Sequence, residues 1–235
     1  IDPGQQLPGL GGQIALKAAS QGGLDTGYSF GAKLTAALTE YPDAVVNVAG
    51  SGDLERVQLA TFSVETLGGL IAGEGDLAWV PALAWKLALR ADDLDPGLYD
   101  PALAGRVGFE LSSAGGLEEG YDYNLKGSAA LAAYPPATLD LGGTGTAEAM
   151  DVSTLDIQVL DGSITGSARV AWVPAVQWDA ALALSGLDPG SLAADWPGRL
   201  GGTIESSGQL TEQGPDLTVR ISEISGELRG YPVRL

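Results

Sequence analysis

The sequence predicts an all-β protein: an elongated, strongly curved, mainly antiparallel sheet, a U-shaped trough, built from repeats of about 93 residues with roughly six strands each. Three observations predict it. Apolar and polar residues alternate with a period of two in run after run, the signature of strands with one dry and one wet face. Turn-forming Asp-Pro-Gly, Val-Pro and Gly-rich steps separate the runs, and no segment has a capped amphipathic helix pattern. Finally, whole motifs recur at a spacing of 93 residues: Asp2-Pro3-Gly4, Leu94-Asp95-Pro96-Gly97 and Leu187-Asp188-Pro189-Gly190; Ala78-Trp79-Val80-Pro81 and Ala171-Trp172-Val173-Pro174; Tyr41-Pro42 and Tyr134-Pro135. A third copy gains about four residues before Tyr231-Pro232. This divides the chain into a first unit (1–93), a second (94–187) and a partial third (188–235), one continuous repeat-built domain.

Taken in order, the first unit opens with Ile14 and Leu16, then Phe30, and Val46 and Val48 bracketing Asn47. Phe62 and Val64 bracket Ser63; Ile71 and Leu77 lead to Trp79; Leu83, Trp85, Leu87 and Leu89 follow with one parity. The second unit repeats the scheme with Val107 and Phe109, then Tyr121, Tyr123 and Leu125 alternating with Asp122, Asn124 and Lys126. Leu139 and Leu141 bracket Asp140; Leu155, Ile157 and Val159 bracket Asp156 and Gln158. Ile164 and Val170 run into Trp172, and Val176, Trp178, Leu182 and Leu184 close the unit. Leu200 and Ile204, then Leu217, Val219 and Ile221, continue it. Short helical turns at 34–38 and 129–133 are the alternatives to strand in this scheme.

Alternation requires each strand to bury one face, and no helices are available to cover it. A second sheet, a closed barrel or lengthwise curling would satisfy that need. Stacking repeats disfavour a barrel. Gly73, Gly75, Gly166 and Ala168 thin the dry face and permit curvature. The residues named above are therefore expected to line one apolar groove.

Composition narrows the function. The chain has 235 residues, with 12 Lys+Arg, 30 Asp+Glu, no His and no Cys, hence a net charge of −18. Without His or Cys there is no Ser-His or Cys-His nucleophile, no imidazole or thiolate zinc site and no disulfide, and no enzyme is expected. The acidic charge argues against nucleic acid and anionic membrane surfaces. Apolar residues make up 45% of the chain, too many for disorder. No run reaches the length of a membrane-spanning helix. The opening Ile1-Asp2-Pro3-Gly4 lacks a basic n-region and begins mid-motif, as an excised segment would. Leu-Asp-Pro-Gly reads as a turn rather than a calcium site. Gly-x-Gly pairs without a following helix do not read as nucleotide loops. No carboxylate pair recurs that would run a glycosidase. The tryptophan pairs Trp79/Trp85 and Trp172/Trp178 serve either as packing or as acyl-chain contacts.

The order Ala-Trp-Val-Pro-Ala-x-x-Trp at 171–178, Leu-Asp-Pro-Gly at 187–190 and Trp-Pro-Gly-Arg-Leu-Gly-Gly at 196–202 resembles the repeats of the TamB translocation and assembly family of Gram-negative bacteria, within the wider AsmA-like group. The second copy departs from it, with Pro101-Ala102-Leu103-Ala104-Gly105-Arg106-Val107 in place of the last motif. The resemblance implies a protein anchored in the inner membrane whose β-taco body crosses the periplasm, this chain being a middle segment. It implies phospholipid as cargo, carried along the groove, and a TamA-like outer-membrane barrel as a partner bound outside this segment. The competing implication is an assembly scaffold for outer-membrane proteins, receiving client strands at its edges. A secreted repeat adhesin is a third option.

Overall fold

A computed structural model describes residues 11–211 and 213–234. Its strands are β1 (Gly12–Gly23), β2 (Gly27–Leu38), β3 (Ala44–Gly52), β4 (Arg56–Thr66), β5 (Gly69–Ala78), β6 (Ala84–Leu94), β7 (Gly105–Gly116), β8 (Gly120–Leu131), β9 (Ala137–Gly145), β10 (Ala149–Val159), β11 (Gly162–Ala171), β12 (Gln177–Leu187), β13 (Gly198–Thr211), β14 (Gly214–Leu228) and β15 (Tyr231–Arg234). The bounds of β7–β12 are those of β1–β6 displaced by 93 residues. The expected Asp2-Pro3-Gly4 turn lies outside the described residues.

The chain forms two compact units, one reaching to Gly116 with Leu131–Ala133, the other comprising Leu117–Ala130 and Tyr134 onward. In the first, β1 to β7 form an antiparallel meander in which each strand pairs with the next. In the second, β8 to β15 do the same. Short connections enforce this order, because an antiparallel neighbour can be reached by a turn and a parallel one cannot. Neither meander closes into a barrel: strand order follows the chain, and no late strand returns to an early one.

Residues directly opposite in an antiparallel pair lie on one face, so the register sorts the side chains. In the first unit the row Leu16, Leu34, Val46, Val64, Ile71, Ala91, Phe109 crosses all seven strands on one face. In the second, Leu125, Leu141, Leu155, Gly166, Leu182, Ile204 and Ile221 do the same over β8 to β14. The reverse face is polar and crossed by ion pairs: Arg90 with Asp92 and Glu110 in the first unit, and Lys126 with Asp140, Arg169 with Asp151 and Arg220 with Glu205 in the second.

Bulges interrupt the ladders at matching places. The register slips between Leu59 and Phe62 in β4 and between Ala91 and Leu94 in β6. It slips again between Val152 and Leu155 in β10 and between Leu184 and Leu187 in β12. A bulge bends its strand. The three buried hydrophobic residues among those described are Ala91, Leu94 and Val152, each at the lip of a bulge and each on the apolar face.

The connections follow from local chemistry. Asp95 Oδ1 accepts from the backbone N–H of Gly97 at 2.9 Å and of Gly105 at 3.0 Å, and Asp188 does the same for Gly190 and Gly198 at 2.8 Å each. One carboxylate thus caps a 3-10 turn begun by proline and anchors the start of the next strand. The alternative of helical turns at 34–38 and 129–133 is not realised. Residues 34–38 finish β2, and 129–131 finish β8, because strand pairing outweighs the helix preference of Leu and Ala.

Candidate functional site: an open apolar face

The apolar face is assembled by matching large residues with glycine across strands. Phe30 faces Gly50 and Tyr28 faces Gly52; Leu89 faces Gly73 and Leu87 faces Gly75. In the second unit Tyr121 faces Gly145, Tyr123 faces Gly143, Leu182 faces Gly166 and Trp178 faces Gly208. The large side chain lies over its glycine: a Cβ built on Gly52 would stand 2.7 Å from Tyr28 Oη, one on Gly166 2.9 Å from Leu182 Cδ2, and one on Gly208 2.7 Å from Trp178 Cη2. Side chains therefore lie down along the sheet instead of standing up from it. Such cross-strand aromatic–glycine pairs pin register as well as fill space.

The result is an apolar surface that is not a closed core. A packed sandwich drives its inward Leu, Val and aromatic residues to full burial. Here those side chains are mostly half-buried, and no polar or charged residue is buried among those described. Leu16, Leu217, Val219 and Ile221 are more than half exposed. Extended apolar patches on protein surfaces commonly mark interaction sites.

Of the residues expected to line the groove, all within the strands fall on one face of their unit. In the first these are Ile14, Leu16, Phe30, Val46, Val48, Phe62, Val64, Ile71, Leu77, Trp85, Leu87, Leu89, Val107 and Phe109. Four others, Trp79, Leu83, Trp172 and Val176, sit instead in the β5–β6 and β11–β12 connections, between 38% and 43% exposed. For the two tryptophans the physical reason is hydrogen bonding. Trp79 Nε1 donates to the Leu54 carbonyl at 2.7 Å and Trp172 Nε1 to the Ala147 carbonyl at 2.6 Å, which ties each indole to the neighbouring turn. The second tryptophan of each pair stays on the face: Trp85 Nε1 donates to Ser113 Oγ at 2.9 Å and Trp178 Nε1 to Ser206 Oγ at 3.2 Å.

Sequence reasoning left out several residues of the same face: Leu34, Val57, Leu59, Leu111, Met150 and Val152. The alternation is broken by the bulge at Leu59/Phe62 and Val152/Leu155, which resets parity within one strand. A 93-residue comparison of Val57 with Met150 and Leu59 with Val152 was the available signal.

The titratable groups on the two faces have different surroundings. The Arg90 guanidinium, 2.7 Å from Asp92, holds that carboxylate below its ordinary range, while Arg90 is itself raised by the same pair. On the apolar side, desolvation raises the Tyr123 phenol, aided by Tyr121 and Asp151. Tyr123 Oη donates to the Asp151 carbonyl at 3.0 Å. With the folded value above the unfolded one near 10, the stability from this phenol is intact below about pH 10 and is lost as pH rises through the folded value. Tyr123→Phe should cost about 1 kcal/mol in urea unfolding at pH 7 and flatten the alkaline loss between pH 9 and 11. An unchanged alkaline limb would remove Tyr123 from this account.

A shallow depression of about 570 Å³ lies on the second unit's polar side, among Asp151, Arg169, Asp179, Glu205, Ser207 and Arg220. Both arginines are already ion-paired. Among the described residues no cluster of carboxylates is arranged for a metal ion, and no helix is long and apolar enough to cross a membrane.

A family model described as TamB, N-terminal domain, matches the chain twice, over residues 13–120 and 108–235. No solved structure matches it. Two successive matches covering nearly every residue, on an all-β meander with one apolar face, show that the chain belongs to the TamB family.

Proposed function

We propose that the apolar face carries the acyl chains of phospholipid, and that this chain is part of a periplasmic, TamB-type bridge between the inner and outer membranes. The observation that carries the reading is the incomplete burial of the apolar face in each unit: among the described residues, three buried hydrophobic residues serve a seven-stranded and an eight-stranded meander. A structural spacer would bury that face, since each exposed Leu or Val forgoes roughly 1.5–3 kcal/mol. Leu and Trp side chains that lie down over glycines keep the face low, which suits a chain of methylenes. Anchor and outer-membrane partner lie elsewhere in this scheme, the partner being a barrel of the TamA type.

The competing reading, an outer-membrane protein assembly scaffold working by strand addition, needs exposed backbone edges. Within each unit every interior strand is hydrogen-bonded on both sides, which leaves such a client few places to pair. Native mass spectrometry of the purified chain decides between them. Co-purified phospholipid, removable by detergent exchange and restored on mixing with lipid, is the expected result. A chain that neither retains nor takes up lipid, yet crosslinks unfolded β-barrel segments, would establish the scaffold instead.

A further inference from the structure

β14 is paired along the whole of one edge and only part of the other. β13 pairs with it from Leu228 back to Gly214, whereas β15 pairs with it only from Ser225 to Leu228. Among the described residues no strand pairs with the rest of that second edge, Gly214 to Ile224. The apolar side chains show the consequence. In the row that crosses the second unit, Leu141, Leu155, Leu182 and Ile204 have strands on both sides and are half-buried. Ile221, in the same row, is 57% exposed, and Leu217 and Val219 are each 52% exposed. An apolar edge with open N–H and C=O groups is a template for a further strand.

The residues along this edge are complementary to themselves. Two copies of β14 laid antiparallel about Thr218 set Asp216 opposite Arg220 twice on the polar face and Leu217 opposite Val219 twice on the apolar face, with Thr218 opposite its own copy. Opposite charges, apolar pairs and paired threonines across strands are each stabilising. Neighbouring registers lose this match. Centring on Leu217 sets Asp216 against Thr218 and Arg220 against Gly214, and centring on Val219 sets them against Ser222 and Thr218. Centring on Asp216 or Arg220 opposes like charges. Arg220 has donors to spare, since its ion pair with Glu205, at 3.0 Å, uses Nη1 alone. We infer that two copies of this chain pair edge to edge through β14, antiparallel over Pro215–Ile221, a stretch that stops short of Ser225, where β15 begins. A two-fold axis normal to the sheet keeps both apolar faces on one side, so the second unit's face runs on into that of the other copy. Seven residues a side make a small interface, and a weak dimer is expected.

The absence of Cys makes the register readable by crosslinking. Thr218→Cys puts the two thiols opposite each other, within disulfide reach, whereas Ser222→Cys puts them about 27 Å apart in the same dimer. Under mild oxidation residue 218 should link at least about tenfold faster than residue 222. Sedimentation of the unaltered chain should show its mass rising toward that of a dimer as concentration approaches about 1 mM. Asp216→Arg, which opposes two pairs of arginines, should weaken association at least about tenfold. Asp216 and Thr218 are exposed, so their variants should keep the unaltered circular dichroism spectrum. A chain that stays monomeric at about 1 mM overturns the pairing. So does a dimer that links equally well through residue 222, or one that dissociates when phospholipid is added, because the apolar faces and not the edges would then hold it.

Discussion

Leu89→Arg and Leu182→Arg should each abolish lipid retention while leaving a folded β protein. Both side chains lie over glycines, Gly73 and Gly166, in the middle of the apolar face of their units. A guanidinium there leaves the acyl lane with a charge that methylenes cannot solvate, and binding should fall at least about tenfold. The protein itself tolerates the charge, because the face is open and the long arginine can lift its head into water. The expected loss of stability is about 1 kcal/mol, well below the several kcal/mol of an unpaired charge in closed core. Circular dichroism with urea unfolding, run beside native mass spectrometry, separates the two effects. Unfolding of either variant would show that the face is core after all. Full lipid retention in a folded variant would show that the lipid lies elsewhere.

The largest effect on stability is expected at Gly143. A Cβ there would collide with the Asp151 carbonyl and stand 2.7 Å from Tyr123 Oη, so neither backbone nor ring can give way cheaply. Gly143→Val should cost about 3 kcal/mol and free the Tyr123 ring from its seat. Valine is otherwise a better strand former than glycine, so propensity alone predicts the opposite sign. Gly142, its neighbour on the other face, offers the control: a Cβ there meets Asn124 Nδ2 at 3.2 Å and Tyr123 O at 3.5 Å, a side chain that can move and an ordinary contact. Gly142→Ala should be tolerated to within about 1 kcal/mol. Equal costs at the two sites in thermal or urea unfolding would refute the seating of aromatic rings on glycine.

The polar face makes weaker demands. Its ion pairs join side chains that are about half exposed or more, as in Arg106 with Asp93 and Arg220 with Glu205. Pairs of that kind contribute little individually. Their role is to keep the wet face wet, so that the sheet presents one apolar side and not two.

Much of this was legible in the sequence because it is local. Alternation such as Leu155, Ile157, Val159 against Asp156 and Gln158 states the face of each side chain as soon as the strand is granted, and proline-glycine turns state where strands end. The absence of His and Cys and the charge of −18 bounded the chemistry in the same way. Other features are set by what lies across the strand or above the sheet. That Tyr28 covers Gly52 on the adjacent strand depends on the register of that pair, and elsewhere register depends on bulges that no periodicity announces. Trp79 and Trp172 share the parity of the groove residues, yet a carbonyl 25 residues away draws each indole into the connection. Above all, alternation predicts a dry face without saying what dries it. Only the tertiary arrangement decided that no side chains of these units close over it, because burial is a property of neighbours distant in sequence, and here too few are present to seal it.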